Sequence, residues 1–385
     1  MKNILIVAPY CSIPTEPYFN RFLFLAELLS SEFNVTLITS DFRHFDKTHR
    51  KYVASDKFRL VLLHEPGYKK NVSIARVLSH KVFTENFNTW VNSSDNFNFD
   101  LVYSAAPLLQ TNIILSNLKE KVHFKLIVDV QDVWPEAISA AIPILNNVSM
   151  RFIPFYRKAN RVYSSADGLV AVSKTYLDRA RLVNKTADFE VVYIGSDFKL
   201  INNSKSYKKN NDKFILTYLG TLSFSYDIET IIHAVNKLLV DGYPIELHIF
   251  GGGPFESKLK NISSSNIFFH GFVDISHVYS FMKTSDIAIN ALSSTAKQSV
   301  TNKLSDFMSL GIPILNSQTN TEVLDLLETL DHENYIAGNV DSAYNKIISF
   351  FERRDELTFK PNKNFNRDIE YKRIIDLIDR LIKND

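Results

Sequence analysis

The chain has 385 residues, of which 45% are hydrophobic, 12% aromatic and 22% charged. This length exceeds a single ordinary domain of roughly 100–200 residues, so we expect two globular domains. The composition excludes an intrinsically disordered chain, which would be poorer in apolar residues and more strongly charged. With 44 basic and 42 acidic residues the formal net charge is only +2, so we expect no nucleic-acid partner.

The single cysteine and the length of the apolar runs bear on the compartment. Cys11 has no second cysteine to pair with, which fits a reducing cytoplasm better than a secreted protein. The first apolar run, residues 4–8, is too short for a signal peptide core and predicts a strand. No run approaches the roughly 20 apolar residues of a membrane span. We therefore expect a cytoplasmic protein whose membrane contact is at most peripheral, at the inner face of the cell membrane.

Short apolar runs alternate with amphipathic stretches in the first half of the chain, a pattern typical of βα units on a parallel sheet. A helix is predicted at residues 20–30, where Phe22, Leu25 and Leu29 share one face. The predicted strands of this half are residues 4–7, 34–40, 60–64, 101–104, 125–130, 169–172 and 190–194.

The same rhythm restarts after a polar segment that is rich in Asn, Lys and Ser. A helix is predicted at residues 227–240, and strands at 214–219, 245–250, 267–270, 287–289 and 312–315. We therefore predict an α/β fold with two doubly wound, Rossmann-like domains that face a cleft. Their expected bounds are 1–197 and 213–370, with a linker at 198–212 and a C-terminal helix at 371–385 that packs back on the first domain.

The densest polar motif, QDVWPE at residues 131–136, directly follows the predicted strand 125–130. Ligands of open α/β sheets bind beyond the carboxyl ends of the strands. The carboxylates of Asp132 and Glu136, with the Trp134 indole, are therefore candidates to accept a proton or to hold sugar hydroxyls. Alternatively, Asp132 caps a helix and Trp134 fills the wall between the domains.

A helix start near residue 301 predicts an anion site. Thr301 and Asn302 are typical of helix starts, and Gly311 is typical of a helix end. Unpaired N–H groups and the helix dipole attract a phosphate there, and Lys303 adds a positive charge. Asp306, one turn further on, is placed to accept hydrogen bonds from ribose hydroxyls. The alternative is an ordinary capped helix with a solvated lysine.

Glycines follow the first two strands of the second half. Gly220 and the run 251–253, which includes Gly252, lack side chains and would let a ligand approach the backbone, although turn geometry explains them equally well. The histidines have no paired metal-ligand spacing, and one cysteine cannot build a thiolate zinc site. We therefore expect no catalytic metal. Neither glycine site has the G-x-G-x-x-G fingerprint of a nicotinamide enzyme, so we expect no cofactor.

Two stretches, residues 42–51 and 151–161, mix aromatic side chains with positive charge. Such mixtures suit an anionic membrane surface, and a solvated loop and helix face explain them as well.

The sequence resembles the family-4 glycosyltransferases of the GT-B fold, of the kind that builds bacterial capsule, O-antigen or cell-wall polysaccharide. The resemblance spans nearly the whole chain, in the order and spacing of its motifs. They are the opening strand with Asn20 and Arg21, DVWPE at 132–136, YIGSD at 193–197, YLGT at 218–221, GGGP at 251–254, HGFV at 270–273, SD at 285–286, and NKL and GIP at 302–304 and 311–313.

The resemblance implies that the second domain holds a nucleotide-diphosphate sugar and the first a lipid-linked or saccharide acceptor. Asp132 would face the reacting sugar carbon, and with Lys303 it forms the expected catalytic pair. The acceptor would be held by Arg21, Trp134 and Glu136. The expected donor site comprises Gly220 and Thr221 at the diphosphate, Phe272 and Val273 at the base, Asp306 at the ribose, and Gly252, Gln298, Thr301, Asn302 and Lys303.

The sequence departs from the family at charged positions. The first glutamate of the family's E-x7-E element falls on Gln298 and the second on Asp306. The family's arginine after the first glycine loop is Thr221, and Tyr226 stands near the position of a missing lysine. Lys303 and the helix start beside it are the expected substitutes at the diphosphate.

For the reaction, the resemblance implies metal-independent hexosyl transfer with retention of configuration. No carboxylate is clearly placed as a covalent nucleophile, so we expect front-face attack in which the β-phosphate of the donor helps to remove the acceptor proton. Two alternatives remain open: a sugar-nucleotide epimerase of the same fold, and a non-catalytic partner subunit of a glycosyltransferase.

Overall fold

The chain folds into two α/β units. The computed structural model describes residues 1–16, 20–70, 73–93, 97–132, 136, 155–294, 296 and 299–383. The first unit contains Met1–Val192 and Tyr371–Asp385, and the second contains Tyr193–Glu370. The division therefore falls a few residues before the expected bound at 197. The expected linker at 198–212 lies inside the second unit and begins with a helix, Phe198–Asn203.

A parallel sheet of seven strands forms the centre of the first unit, within the described residues, in the order β5-β2-β1-β6-β7-β8-β9. Central strands such as β6 and β8 are buried along their whole length because both faces of a parallel sheet are covered by helices. In β1, Ile4 pairs with Val35 on one side and with Leu101 on the other. The seven strands of this sheet are β1 Asn3–Val7, β2 Asn34–Ser40, β5 Arg59–Leu63, β6 Leu101–Ala106, β7 Lys125–Val130, β8 Gly168–Ala171 and β9 Asp188–Val191, and β3 Phe42–Arg43 and β4 Thr48–His49 form a separate pair.

The helices of this unit include the one predicted at residues 20–30. The Asn20 side chain caps it by accepting hydrogen bonds from the N–H groups of Phe22 and Leu23. Phe22, Leu25 and Leu29 lie in the core, as their spacing predicts. The described helices up to residue 192 are α1 Arg21–Leu29, α2 Ile74–Asn92, α3 Leu109–Lys119, α4 Tyr156–Ser165 and α5 Lys174–Arg181.

A short antiparallel hairpin, β3 with β4, was not expected from the sequence. It follows β2 directly and contains most of the basic and aromatic segment 42–51. Its residues do not alternate between apolar and polar, which is the signal that identifies a hairpin strand.

The C-terminal helix, Lys372–Lys383, packs in the first unit. Ile374 and Leu377 lie in the same core as β1. Arg373 forms an ion pair with Glu190 at 2.9 Å. Gly168 in β8 makes room for the helix, because a Cβ atom there would lie 2.9 Å from Cδ1 of Leu381.

We expect Gly168→Val to destabilise the protein by about 1–3 kcal/mol, the usual cost of overpacking a core. The new side chain would collide with Leu381 and with Ile127, whose Cγ1 atom lies 3.0 Å from the added Cβ. Urea denaturation measures the change. The double variant Gly168→Val with Leu381→Ala should recover part of the lost stability, and no loss in the single variant would contradict the packing.

The second unit has a parallel sheet of six strands, within the described residues, in the order β12-β11-β10-β13-β14-β15. The strands are β10 Phe214–Leu219, β11 Ile245–Phe250, β12 Ile267–Gly271, β13 Ile287–Asn290, β14 Ile314–Asn316 and β15 His332–Asn334. The described helices are α6 Phe198–Asn203, α7 Ile228–Val240, α8 Glu256–Asn261, α9 Ile275–Met282, α10 Asn302–Leu310, α11 Thr321–Leu327, α12 Val340–Glu352 and α13 Arg367–Glu370.

Among the helices of the described residues, none combines the length and the apolar character that crossing a bilayer requires.

Candidate functional site

The sheet of the second unit has a topological switch point between β10 and β13. The chain adds β11 and then β12 on one side of β10, and β13 pairs with β10 on its other side. The loops that leave the carboxyl ends of β10 and β13 therefore diverge, which opens the crevice where doubly wound sheets bind ligands. Helix α10 begins after the loop that leaves β13.

The start and end of α10 agree with the sequence prediction. The hydroxyl of Thr301 accepts a hydrogen bond from the N–H of Leu304 at 3.3 Å, and Asn302 is the exposed first residue. Gly311 ends the helix in the left-handed conformation, with φ of 67°. The buried Leu304 and Phe307 fix the helix in the core, so its amino end is held beside the switch point.

Lys303 does not match the alternative interpretation of a solvated lysine. It is only 6% exposed, and within the described residues its Nζ atom has no hydrogen-bond acceptor. The Nζ atom lies 4.7 Å from the ring centre of Tyr218 and 3.9 Å from that of Tyr226. Burial lowers the pKa of Lys303 well below its usual range. Neither tyrosine was predicted to belong to this site, although Tyr226 lies near the position where the resemblance places a lysine.

The glycine-rich loops pack on one another. Gly251 has φ of 118°, and a Cβ atom there would lie 2.1 Å from the carbonyl oxygen of Gly220. A Cβ atom at Gly253 would lie 2.4 Å from the carbonyl oxygen of Leu222. At Gly251 and Gly253 the absence of a side chain therefore allows this loop to pack closely against the loop that contains Gly220 and Leu222. This corrects the expectation that the whole run makes room for a ligand.

Gly220 and Gly252 remain placed at the crevice. A Cβ atom at Gly220 would lie 3.7 Å from Cδ of Lys303, so this loop borders the start of α10. A Cβ atom at Gly252 would lie 3.0 Å from the ring of Phe272. Phe272 is 76% exposed at the end of β12, and Thr221 is exposed. An exposed aromatic ring at a strand's carboxyl end offers a stacking surface for a planar ligand.

Val273 follows Phe272 at the end of β12 and is also exposed. The loops after β10, β11 and β12, with the start of α10, thus bring together the described members of the expected donor site.

Asp306 lies one turn into α10 and is already hydrogen-bonded. Its Oδ1 atom accepts hydrogen bonds from the hydroxyls of Ser196 at 2.6 Å and Tyr279 at 2.7 Å. Burial raises the pKa of Asp306, while these two donors favour its charged form. Tyr279 was not expected here, since its place facing α10 depends on how α9 packs.

A buried amide network supports the loop before α10. The Nδ2 atom of Asn290 donates to Asn316 at 2.9 Å and to Gln318 at 2.8 Å. Gln318 in turn donates to the carbonyl oxygen of Ser299 at 3.2 Å. The network therefore holds residue 299, close to the helix start. The sequence pattern that indicates this network is an asparagine at the end of each of two successive apolar strands, β13 and β14.

The expected acceptor residues of the first unit have different outcomes. Asp132 is half-buried just beyond β7, where a ligand of this sheet would bind. Glu136 forms a close ion pair with Arg179, which also donates to Asn160 at 2.8 Å. Its carboxylate is therefore engaged rather than open. Trp134, like Gln298 of the donor site, lies outside the described residues.

Arg21 has a structural role, which corrects the expected acceptor role. It is 4% exposed, and its Nε atom donates to Oδ2 of Asp129 at 2.7 Å. It also donates to the carbonyl oxygen of Val192 at 2.9 Å and lies over the ring of Tyr371. The buried guanidinium thus connects α1, β7 and the C-terminal segment, and it has no solvent-facing surface for a sugar.

One group of potential metal ligands occurs in the described residues. Ligand atoms of Asp41, His49 and His64 lie within 4.8 Å of one another. Each is already engaged: His64 Nδ1 with Asp41 at 2.8 Å, and His49 Nε2 with the carbonyl oxygen of Glu65 at 2.8 Å. The group is explained as a link between the β3–β4 hairpin and β5, and we assign it no metal.

Comparison with known proteins identifies a family pattern in part of the chain and a fold for the whole of it. The family model for Glycosyl transferases group 1 matches residues 213–353, which lie in the second unit. No curated protein matches the chain significantly in sequence.

Solved structures with the same fold span essentially the whole chain. Sucrose-phosphate synthase from Thermosynechococcus elongatus is 13% identical with a TM-score of 0.71, and the match covers 100% of both chains. The lipopolysaccharide outer core galactosyltransferase WaaB is 16% identical with a TM-score of 0.64, over 98% of this chain and 99% of that one.

A Listeria monocytogenes protein assigned as a UDP-N-acetylglucosamine 2-epimerase is 10% identical with a TM-score of 0.60, over 100% of this chain and 97% of that one. At such identities the likeness concerns the fold alone. The fold is that of the GT-B glycosyltransferases, with two Rossmann-like units, and residues 213–353 have the sequence pattern of glycosyl transferases group 1.

Proposed function

We propose that this protein is a glycosyltransferase that moves a hexose from a nucleotide-diphosphate sugar to a lipid-linked or saccharide acceptor. One observation carries the proposal: a buried lysine amine without an acceptor in the described residues, at the start of a helix at the switch point. Diphosphate oxygens would accept hydrogen bonds from both this amine and the helix N–H groups. The family model match over the same unit supports this proposal.

We propose transfer with retention of configuration and without a metal ion. Lys303 and the amino end of α10 would stabilise the departing diphosphate, since both place positive charge where negative charge develops. The acceptor hydroxyl would attack from the side of the leaving group, and a β-phosphate oxygen would take its proton. The protein then contributes chiefly by positioning the two substrates.

Nucleotide release distinguishes this function from its two rivals. A transferase releases nucleoside diphosphate from the donor only when acceptor is present, whereas an epimerase converts a nucleotide sugar alone. The epimerase deserves testing because one structural neighbour carries that assignment. A non-catalytic partner subunit would do neither without its partner. A thermal-shift screen with UDP, GDP and dTDP identifies the nucleotide first, because a ligand that binds the folded state raises Tm.

We expect Asp132→Asn to slow transfer at least tenfold while nucleotide affinity stays unchanged. Asp132 lies beyond β7 in the first unit, and the proposed nucleotide site is in the second. Its negative charge would stabilise the positive charge that develops on the sugar ring. Single-turnover kinetics and calorimetry measure the two effects separately. Turnover equal to wild type would remove Asp132 from the catalytic residues.

We propose an acceptor for surface polysaccharide synthesis and a peripheral contact with the cytoplasmic face of an anionic membrane. The first turns of α2 expose Ile74, Val77 and Leu78 at 80%, 68% and 55%. Lys69 and Lys70, just before α2, are exposed as well. Apolar side chains beside lysines suit the interface of an anionic bilayer. Flotation with vesicles that differ only in anionic lipid tests the contact, and binding without salt sensitivity would contradict it.

A further inference from the structure

Four aromatic side chains form a closed ring at the carboxyl edge of the first sheet. Tyr10 follows β1, His44 lies in the hairpin that follows β2, Tyr68 follows β5, and His80 is on α2. Because β5, β2 and β1 are neighbours in the sheet, their carboxyl-end loops meet at one place. We call these residues the four-ring cluster. Of these four residues, only His44 belongs to the basic and aromatic segment 42–51 that the sequence pattern singles out.

Tyrosines and histidines alternate around the four-ring cluster. The ring centres of Tyr10 lie 5.3 Å from His44 and 5.7 Å from His80, and those of Tyr68 lie 5.7 Å and 5.8 Å from the same histidines. Tyr10 shares a hydrogen bond of 2.7 Å with Nε2 of His80, and Tyr68 shares a short one with Nδ1 of His44. All except the buried Tyr68 are half-buried, so solvent reaches the cluster.

Two cationic side chains lie against Tyr68 of the four-ring cluster. The Nζ atom of Lys47 lies 4.9 Å, and Cζ of Arg76 lies 5.6 Å, from the ring centre of Tyr68. The nearby Glu65 carboxylate is buried and accepts hydrogen bonds from Ser40 and Ser79, both at 2.6 Å.

Burial, and after it the neighbouring positive charge, lowers the pKa of both histidines. Burial and the charges of Lys47 and Arg76 lower the pKa of His44 to about 4. Burial, Arg76 and His44 lower the pKa of His80 to about 4. Both imidazoles are therefore neutral near pH 7, and the arrangement disfavours a further cation.

We propose that the four-ring cluster, with Lys47 and Arg76, binds a phosphate group of the acceptor. Imidazole, phenol, ammonium and guanidinium groups all donate hydrogen bonds, and a guanidinium matches phosphate oxygens in pairs. The place is the edge of the sheet where ligands of α/β folds bind. That the phosphate belongs to an acceptor rests on the proposed transferase function, whereas the phosphate site itself does not.

Calorimetry and NMR with inorganic phosphate test the site in the full chain. Arg76→Gln should weaken phosphate binding about tenfold or more, the scale of a lost charged hydrogen bond. Lys81→Gln, which removes the same charge from the same helix, should leave binding unchanged. Tyr10→Phe keeps the ring and should weaken binding severalfold, so the proposal stays testable if Arg76→Gln fails to fold. Equal phosphate affinity in wild type, Arg76→Gln and Tyr10→Phe would overturn it.

A second readout separates binding from mere ring packing. An anion at the site favours the charged imidazolium, so the pKa values of His44 and His80 should rise when sulfate, whose charge does not change over this range, is added. Sulfate affinity should then increase as pH falls towards those values. Histidine NMR signals that titrate identically with and without sulfate would contradict the proposal.

The source of the phosphate is found by comparing two probes. Glucose 6-phosphate that competes with inorganic phosphate indicates a soluble sugar phosphate, and competition by phosphatidic acid vesicles alone indicates a lipid-linked acceptor. Competition by neither probe would overturn the acceptor assignment. Binding of UDP, GDP or dTDP is measured in parallel. If a nucleotide binds and inorganic phosphate does not, only the phosphate site is refuted. If inorganic phosphate binds and no nucleotide does, only the transferase function is refuted.

Discussion

Lys303→Met is expected to weaken nucleoside diphosphate binding about a hundredfold, corresponding to about 3 kcal/mol for lost charged hydrogen bonds to phosphate. The same change should leave the free protein as stable as wild type, or more stable. The amine is buried against Tyr218 and Tyr226 and forms no compensating ion pair within the described residues. Replacing it with an apolar side chain of similar length therefore removes the cost of burying a polar amine. Loss of binding with gain of stability is a combination that a purely structural lysine would not show.

Calorimetry with UDP, GDP or dTDP measures the affinity, and thermal unfolding without ligand measures the stability. Lys258→Met is a matched control, because Lys258 is an exposed lysine of the same unit and pairs with Glu229 at 2.6 Å. It should change neither quantity appreciably. Unchanged nucleotide affinity in Lys303→Met would refute the proposed phosphate contact.

The low pKa of Lys303 adds a proton readout to this experiment. Burial lowers the pKa in the free protein, and a bound diphosphate would raise it again. At a pH between the pKa of Lys303 in the free protein and its pKa in the complex, nucleotide binding is accompanied by uptake of a proton. The nucleotide affinity should therefore fall as pH rises. Calorimetry in two buffers of different ionisation enthalpy counts that proton, and Lys303→Met should abolish the difference.

Most of the fold could be predicted from the sequence because its central strands are buried on both faces. Such strands are continuous apolar runs, and β7 and β10 have the predicted bounds. The strand β15, with the polar sequence His-Glu-Asn, was not predicted. It lies at the edge of its sheet, where the demand for apolar side chains is weaker.

The candidate site was predictable only where local chemistry fixes it. The start of α10 depends on a cap that lies next to the helix in sequence, and Thr301 marks it. The burial of Lys303 depends on Tyr218 and Tyr226, which belong to the region of β10, more than seventy residues earlier. Likewise, no local pattern shows that Arg21 pairs with Asp129 across 108 residues. Contacts of this kind follow from topology, which the sequence pattern describes only coarsely.

The buried ion pair of the first unit gives the second large expected effect. We expect Arg21→Met to lower the free energy of unfolding by about 3–5 kcal/mol, because it leaves a charged carboxylate buried without its counter-ion. Asp129 is 0% exposed, and its remaining donors are the hydroxyl of Tyr103 at 2.6 Å and the side chain of Gln131 at 2.5 Å. Urea denaturation measures the loss.

The double variant Arg21→Met with Asp129→Asn separates charge from packing. It removes the unpaired carboxylate and should regain a substantial part of the stability lost in the single variant. Because both residues belong to the first unit, the folded double variant should bind nucleoside diphosphate as wild type does. A double variant no more stable than Arg21→Met would show that the guanidinium stabilises the fold through Val192 and Tyr371 rather than by neutralising Asp129.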